Sequence, residues 1–139
     1  MISISNVSKS YKGAPKPALN DVSLEIAKGD FVFLVGASGS GKSSLLRLMF
    51  REEIPTAGSV FVLGENLVTT PSRRIPFFRR RIGVVFQDFR LLPNKTVFEN
   101  VAFTLEVLGK TSAFISQAVP EVLNLVGLAE KRDRLPSEL

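Results

Sequence analysis

The stretch Gly36-Ala37-Ser38-Gly39-Ser40-Gly41-Lys42-Ser43 decides how the rest of this chain is interpreted. It matches G-x-x-x-x-G-K-[ST], the pattern of a phosphate-binding loop. An unalternated apolar run at 31–35 precedes it, and apolar residues at helical spacing follow it. The loop is therefore predicted to join a buried strand to a helix, which is the setting that a phosphate site requires. We expect it to hold the phosphates of a nucleoside triphosphate.

The residue types in the loop suit a multiply charged anion. Glycines let the backbone approach the phosphates, and successive N–H groups then form an anion nest at the positive end of the following helix. Lys42 is expected at the β- and γ-phosphates, and the Ser43 hydroxyl at Mg²⁺, which needs only one or two protein ligands. The expected loop ligands are Gly36, Ala37, Ser38, Gly39, Ser40, Gly41, Lys42, Ser43 and Ser44.

Length and composition limit the class of protein. The chain has 139 residues, enough for one domain or part of one, and 45% of them are hydrophobic. No basic region precedes an apolar stretch at the amino terminus, and no run approaches the roughly 18 apolar residues of a membrane span. The cysteine count of 0 excludes disulfides and thiolate metal sites. These features are typical of a cytosolic protein.

A basic cluster accounts for part of the net charge of +5. Five arginines fall close together in sequence: Arg73, Arg74, Arg79, Arg80 and Arg81. A solvated face beside a loop is the favoured interpretation. A patch that meets a membrane or nucleic acid is the alternative, and no regularly interleaved aromatic pattern supports nucleic acid.

Hydrophobic patterning before the middle of the chain predicts a β-rich start. Residues 1–30 alternate as antiparallel strands. The run 31–35 is predicted to be buried on both faces in a parallel sheet. A helix should extend from Gly41 to about Arg51, followed by a short strand at 60–63.

The second half of the chain predicts mainly helices. Residues 64–80 hold at most one short helix, and 82–86 is predicted as another buried strand. Thr96-Val97-Phe98-Glu99 has the pattern of a capping box, so a helix should begin there and end at Leu108. A further helical region at about 112–126 contains Pro120, which should kink or restart it.

Several ordered pieces resemble the ATP-binding-cassette (ABC) ATPases. Tyr11 stands where that family has an aromatic residue. Pro55-Thr56-Ala57-Gly58-Ser59-Val60 is similar to its turn after the loop helix, and Val84-Val85-Phe86-Gln87-Asp88 to its Q-loop. Pro136-Ser137-Glu138-Leu139 is similar to the approach to its signature motif. The pieces occur in order, along the whole chain.

The resemblance implies a fold and a set of site residues. The fold is α/β, a P-loop NTPase of the ABC nucleotide-binding type, with an antiparallel β part at 1–30, a P-loop to Q-loop core at 31–92 and the start of a helical subdomain at 93–139. Tyr11 would stack on adenine. Gln87 would touch Mg²⁺ and the attacking water, so Lys42 and Gln87 are the expected catalytic residues and Ser43 and Gln87 the expected metal ligands. ATP and Mg²⁺ are the expected ligands.

Within the family, residues 86–92 and 95–102 are most similar to the ATPases of bacterial cell division. That similarity implies a cytoplasmic protein, peripheral on the inner face of the plasma membrane, with a polytopic membrane partner of the FtsX type and a second copy of the ATPase domain. Lipoprotein-release and macrolide-export ATPases share much of this region and stay open as alternatives. A non-transport ABC ATPase acting on nucleic acid also stays open, although no nucleic acid is expected as a partner.

The family's remaining catalytic parts are not found among these residues. The chain ends where the signature Ser-Gly-Gly is expected, it has no apolar strand followed by Asp-Glu, and its histidine count is 0. We therefore expect the amino-terminal part of a domain, which binds nucleotide without sustained hydrolysis. We also expect the strand at 31–35 to expose apolar faces and unpaired backbone where its sheet neighbours are missing.

Overall fold

Four antiparallel strands form the sheet of the amino-terminal unit. The computed structural model describes all of residues 1–139 and separates Met1–Ile82 from Gly83–Leu139 as two compact units. The strands lie in the order β2-β1-β3-β4. Their bounds are β1 (Ile2–Lys9), β2 (Leu19–Ile26), β3 (Ala57–Val62) and β4 (Glu65–Asn66). The antiparallel start expected from the alternating residues is confirmed.

The sheet contributes one face to the core of this unit. Ile4 of β1 lies opposite Val60 of β3, and both side chains are buried. Their neighbours along each strand point to the other face, as the two-residue period of a strand requires. The β3–β4 connection is the two-residue turn Leu63-Gly64, in which both residues have positive φ, 52° and 82°. That backbone twist matches the twist of the strands it joins.

Helix α1 (Lys42–Met49) covers the buried face of the sheet. Leu45, Leu48 and Met49 are buried and share one cluster with Ile4 and Val60. The sequence pattern therefore identified the helix and its core face correctly, although the helix ends at Met49 rather than Arg51. Each of these apolar side chains is worth about 1.5–3 kcal/mol when fully buried.

A short helical segment then closes the unit. A 3-10 turn at Ser72–Arg74 leads directly into helix α2 (Ile75–Arg79), consistent with the single short helix expected at 64–80. Phe78 of α2 is buried in the same core. The Arg79 guanidinium donates to the carbonyls of Phe50 and Arg51 at 3.0 and 2.9 Å. It thereby satisfies carbonyl groups that the end of α1 leaves unpaired.

The carboxyl-terminal unit is helical. Helix α3 (Val97–Val107) begins at the predicted capping box, and helix α4 (Ser112–Leu125) follows it. Thr96 Oγ1 accepts from the Glu99 amide at 3.2 Å, and Glu99 Oε2 accepts from the Thr96 amide at 2.8 Å. The unit's core consists of Val97, Ala102, Ile115, Val119 and Leu123.

Helix α4 runs continuously through Pro120, so the predicted restart does not occur. None of the helices has both the length and the apolar character that a membrane crossing demands.

The two predicted buried strands are wrong for this structure. Residues 31–35 and 82–86 belong to no strand, and Val85 is fully exposed. Phe31 and Val35 are 84% and 83% exposed. A strand exists only as a member of a hydrogen-bonded ladder, and none of the four strands of the sheet pairs with either segment. The apolar side chains of 31–35 are exposed as expected, but the segment that exposes them is not a strand.

Candidate nucleotide-binding site

The loop at 36–43 leads into α1 through a left-handed glycine. Gly41 is the residue before the helix and has φ 93°. A Cβ at this position would lie 2.9 Å from Leu19 Cδ2 and still closer to the Ala18 carbonyl oxygen. Both the backbone conformation and the lack of space therefore require glycine. This glycine sets the direction in which the loop enters the helix.

The Lys42 side chain folds back into the loop. Its Nζ donates to the carbonyl oxygens of Gly36 and Ala37 at 2.8 and 2.7 Å, and lies 3.4 Å from Ser40 Oγ. Ala37 and Ser40 are also joined by a backbone turn, with the Ser40 amide 3.2 Å from the Ala37 carbonyl. The loop thus folds around a cationic group, and a positive charge is what the binding of a polyphosphate requires.

The first turn of α1 leaves its amide groups available. Gly41 has no side chain to cap the helix, and no acidic residue stands in the first turn. The first amides of a helix have no partner within it, and they favour an anion. Ser43 is exposed and Ser44 is half-buried in this turn. The residues present therefore fit a magnesium-bound polyphosphate, with the Ser43 hydroxyl as the expected metal ligand.

Tyr11 is held next to the same turn of α1. Its hydroxyl lies 3.1 Å from Ser44 Oγ and 3.0 Å from Glu53 Oε1, and the residue is half-buried. The structure therefore places the predicted base-stacking residue in contact with the helix that the phosphate loop begins. Its stacking role itself stays a prediction.

Gln87 lies in the carboxyl-terminal unit. It is exposed, within a turn closed by the Phe89 amide and the Phe86 carbonyl at 3.2 Å. The Arg90 guanidinium carbon lies 4.0 Å from the centre of the Phe86 ring and borders this turn. The role of Gln87 at Mg²⁺ and the attacking water stays a prediction.

Glu53 is a site residue that no sequence pattern identified. Its carboxylate binds Lys9 at 2.9 Å and Arg47 at 3.3 Å in addition to the Tyr11 hydroxyl. Burial raises the pKa of the Glu53 carboxyl, but hydrogen bonds from Lys9, Tyr11 and Arg47 outweigh it and hold that pKa below its ordinary value. Glu53 is therefore ionised at neutral pH.

Comparison with known protein families identifies the family to which the chain belongs. The family profile described as ABC transporter matches residues 19–139, which include the loop, α1 and both helices of the second unit. The chain belongs to the ABC transporter family. Its residues are part of an ATP-binding domain of that family, and the fold class expected from the sequence is confirmed.

Curated relatives within the ABC transporter family match the whole chain. It is 52% identical to the cell division ATP-binding protein FtsE of Mycobacterium tuberculosis and 49% identical to that of Bacillus subtilis, each over 139 residues. It is also 45% identical to the methionine import ATP-binding protein MetN of Haemophilus influenzae, of which it covers 41%. The chain spans about 60% of the length of the FtsE relatives.

A solved ABC structure has the same fold over these residues. It is the dimeric post-hydrolysis state of the ATP-binding cassette MJ0796 bound to ADP and Pi. The match has a TM-score of 0.90 at 32% identity and covers 100% of this chain and 63% of that one.

Proposed function

We propose that the chain is the ATP-binding part of an FtsE-like subunit, which couples ATP binding and hydrolysis to a polytopic membrane protein in bacterial cell division. The observation that carries the ATP assignment is the Lys42 ammonium, held by the Gly36 and Ala37 carbonyls at the start of α1. The cell-division assignment is supported by the FtsE relatives, which are 44–52% identical over the whole chain.

Each site residue has a defined part in this function. The loop amides and Lys42 bind the phosphates, and Tyr11 stacks on the base. Ser43 and Gln87 contribute ligands to Mg²⁺, which neutralises charge between the phosphates when bound. Gln87 also orients water. In the division of the domain that we propose, residues 1–30 begin the antiparallel β part, 31–92 hold the P-loop to Q-loop core and 93–139 belong to the helical subdomain.

We propose further that residues 1–139 by themselves bind nucleotide without sustained turnover. Phosphoryl transfer depends on positioning and on an oriented water. Histidine is one of the family's catalytic parts, and the histidine count of these residues is 0. A second copy of the domain is proposed to complete the site. Phosphate release at saturating Mg-ATP tests this: the 139-residue chain should not exceed a Lys42→Ala control. Turnover well above that control would refute the proposal.

The membrane partner can be identified by co-purification. The subunit is proposed to work at the cytoplasmic side of the plasma membrane, bound to a protein of the FtsX type. The match to MetN, a methionine import ATP-binding protein, makes a methionine permease the second candidate partner. The test is to express the tagged full chain in its source organism, with both membrane proteins at native levels. After detergent extraction, the tagged chain should retain the FtsX-type protein. Retention of the permease instead would move the assignment to import.

A further inference from the structure

A network of polar contacts links Tyr11 to the helix that begins at the phosphate loop. The Tyr11 hydroxyl contacts Ser44 Oγ at 3.1 Å and Glu53 Oε1 at 3.0 Å. Ser44 is two residues after Lys42, in the first turn of α1, and Glu53 lies just beyond the end of that helix. The Tyr11 hydroxyl therefore contacts one residue of α1 and one residue after it, both far from Tyr11 in sequence.

Lys9 completes the network on the opposite side of Glu53. Its ammonium lies 2.9 Å from Glu53 Oε2, and it also donates to the Ile54 carbonyl at 2.9 Å. The same ammonium lies 5.1 Å from the centre of the Tyr11 ring, over one of its faces. Lys9 thus covers one face of the ring, so a base that stacks on Tyr11 must take the other face.

The carboxylate is the centre of this arrangement. Glu53 receives the phenol on one oxygen and the Lys9 ammonium on the other, and the Arg47 guanidinium of α1 lies 3.3 Å away. The Glu53 side chain is only 19% exposed, so these contacts are weakly screened by water. Removing its charge would break the ion pair with Lys9 and weaken the hydrogen bond from Tyr11 at the same time.

We propose that Glu53 is a positioning residue for Tyr11: it fixes the ring relative to the phosphate loop, so that the base and the phosphates of one nucleotide bind together. The inference rests on the proposed ATP site and adds to it a residue that acts through Tyr11. When the ring is already fixed in place, less conformational freedom of the Tyr11 side chain is lost as a base stacks on it. Glu53 therefore strengthens the binding of a nucleotide without strengthening the binding of its phosphates.

Two ligands separate these contributions. Mg-ATP carries a base and inorganic tripolyphosphate does not, so calorimetric titration of both reports the base subsite by difference. Glu53→Gln keeps a hydrogen-bond acceptor for the phenol but removes the charge. Glu65→Gln is the matched control, because Glu65 makes a 2.7 Å ion pair with Arg81 at a similar side-chain exposure of 23%. The control pair has no contact with Tyr11.

The expected result is selective. Glu53→Gln should raise the Kd of Mg-ATP about fivefold and change the Kd of tripolyphosphate by less than about 1.5-fold. Tyr11→Phe should behave in the same way. The double variant should bind Mg-ATP no less tightly than the single variant with the higher Kd, because both changes break one network. Glu65→Gln should change neither constant.

Tyr11 also provides a direct optical signal. It is the only tyrosine of the 139 residues, which include no tryptophan. A carboxylate bonded to a phenol quenches its emission, so Glu53→Gln should brighten the tyrosine fluorescence and Glu65→Gln should not. Unchanged emission in Glu53→Gln would overturn the contact between the two side chains.

The remaining outcomes are distinguishable. Equal weakening of Mg-ATP and tripolyphosphate in Glu53→Gln would mean a general structural role and would overturn the positioning role. Unchanged Mg-ATP binding in Glu53→Gln, with binding lost in Lys42→Ala, would overturn the inference alone. No binding of either ligand by the unaltered chain would overturn the proposed ATP site and this inference with it.

Discussion

At the scale of single residues, the start of α3 depends on two side chains that bond to each other's backbone. Thr96 Oγ1 accepts from the Glu99 amide, and the Glu99 carboxylate accepts from the Thr96 amide. Both bonds satisfy amide groups that the first turn of a helix leaves unpaired. The pattern is local in sequence, which is why Thr96-Val97-Phe98-Glu99 alone was enough to predict it.

Removing the Thr96 hydroxyl should destabilise the carboxyl-terminal unit. Thr96→Ala leaves the Glu99 amide without its acceptor, and the expected loss is about 1 kcal/mol in the free energy of unfolding. Thr96→Ser keeps the acceptor and is the control. Denaturant unfolding, followed by hydrogen exchange of the α3 amides, measures both variants. Equal stability of Thr96→Ala and Thr96→Ser would contradict the role of the cap.

Acidification should weaken the same cap. The Thr96 amide and then Lys95, which is 2.9 Å away, hold the pKa of the Glu99 carboxyl below its ordinary value of 4.5. Because the folded-state pKa is the lower one, the stabilisation is present above pH about 4.5 and is lost as the pH falls through the folded pKa. Glu99→Gln keeps an acceptor for the Thr96 amide but has no carboxyl group that can be protonated. Its unfolding midpoint should fall less steeply with acid than that of the unaltered chain, and parallel curves would argue against this.

At the scale of elements, strands β1 and β3 approach closely at one glycine. Gly58 has φ 87°, and a Cβ there would lie 2.6 Å from the Ser5 carbonyl oxygen and closer still to that of Asn6. The pairing register of β1 with β3 shifts between Ser5 and Ser8, so the backbone of β1 bulges towards Gly58. Neither strand can move away without breaking ladder hydrogen bonds.

A methyl group at Gly58 should therefore be costly. Gly58→Ala is expected to lower the free energy of unfolding of the amino-terminal unit by about 3 kcal/mol, because it combines a strained φ with a backbone clash. Gly64→Ala is the control, since Gly64 has φ 82° but no atom within 4 Å of an added Cβ. It should cost only about 1 kcal/mol. Thermal unfolding compares the two, and equal losses would show that the close approach is unimportant.

Elements with local signals were predicted better than elements that need distant partners. Helix α1 followed from the spacing of Leu45, Leu48 and Met49 after the loop, and α3 from its cap. The segment 31–35 has the composition of a buried strand, but burial depends on neighbouring strands that composition cannot specify. The Glu53 contact was not predictable for the same reason, because Tyr11 lies 42 residues away in sequence.

At the scale of the whole molecule, apolar side chains are exposed in both units. In the first unit, Phe31, Phe33 and Val35 are 84%, 77% and 83% exposed. The rings of Phe31 and Phe33 contact each other edge to face, with centres 5.0 Å apart. Contiguous exposed apolar surface marks either an interaction site or a tendency to aggregate.

The 139-residue chain should bind an apolar dye through this segment. Replacing both rings, Phe31→Ser with Phe33→Ser, is expected to lower the dye fluorescence and the rate of aggregation by about half. Leu125→Ser is the control, because Leu125 is 85% exposed at the end of α4 in the other unit. An equal fall in the control would contradict the assignment of the surface to 31–35.

The central claim is that the loop at 36–43 binds the phosphates of ATP through Lys42. Calorimetric titration of Mg-ATP into the unaltered chain, Lys42→Ala and Lys42→Arg tests it most directly. We expect Lys42→Ala to weaken binding at least about tenfold, since a charge-assisted contact is lost, and Lys42→Arg to retain part of the affinity. Binding of Mg-ATP to Lys42→Ala as tight as to the unaltered chain would contradict the account.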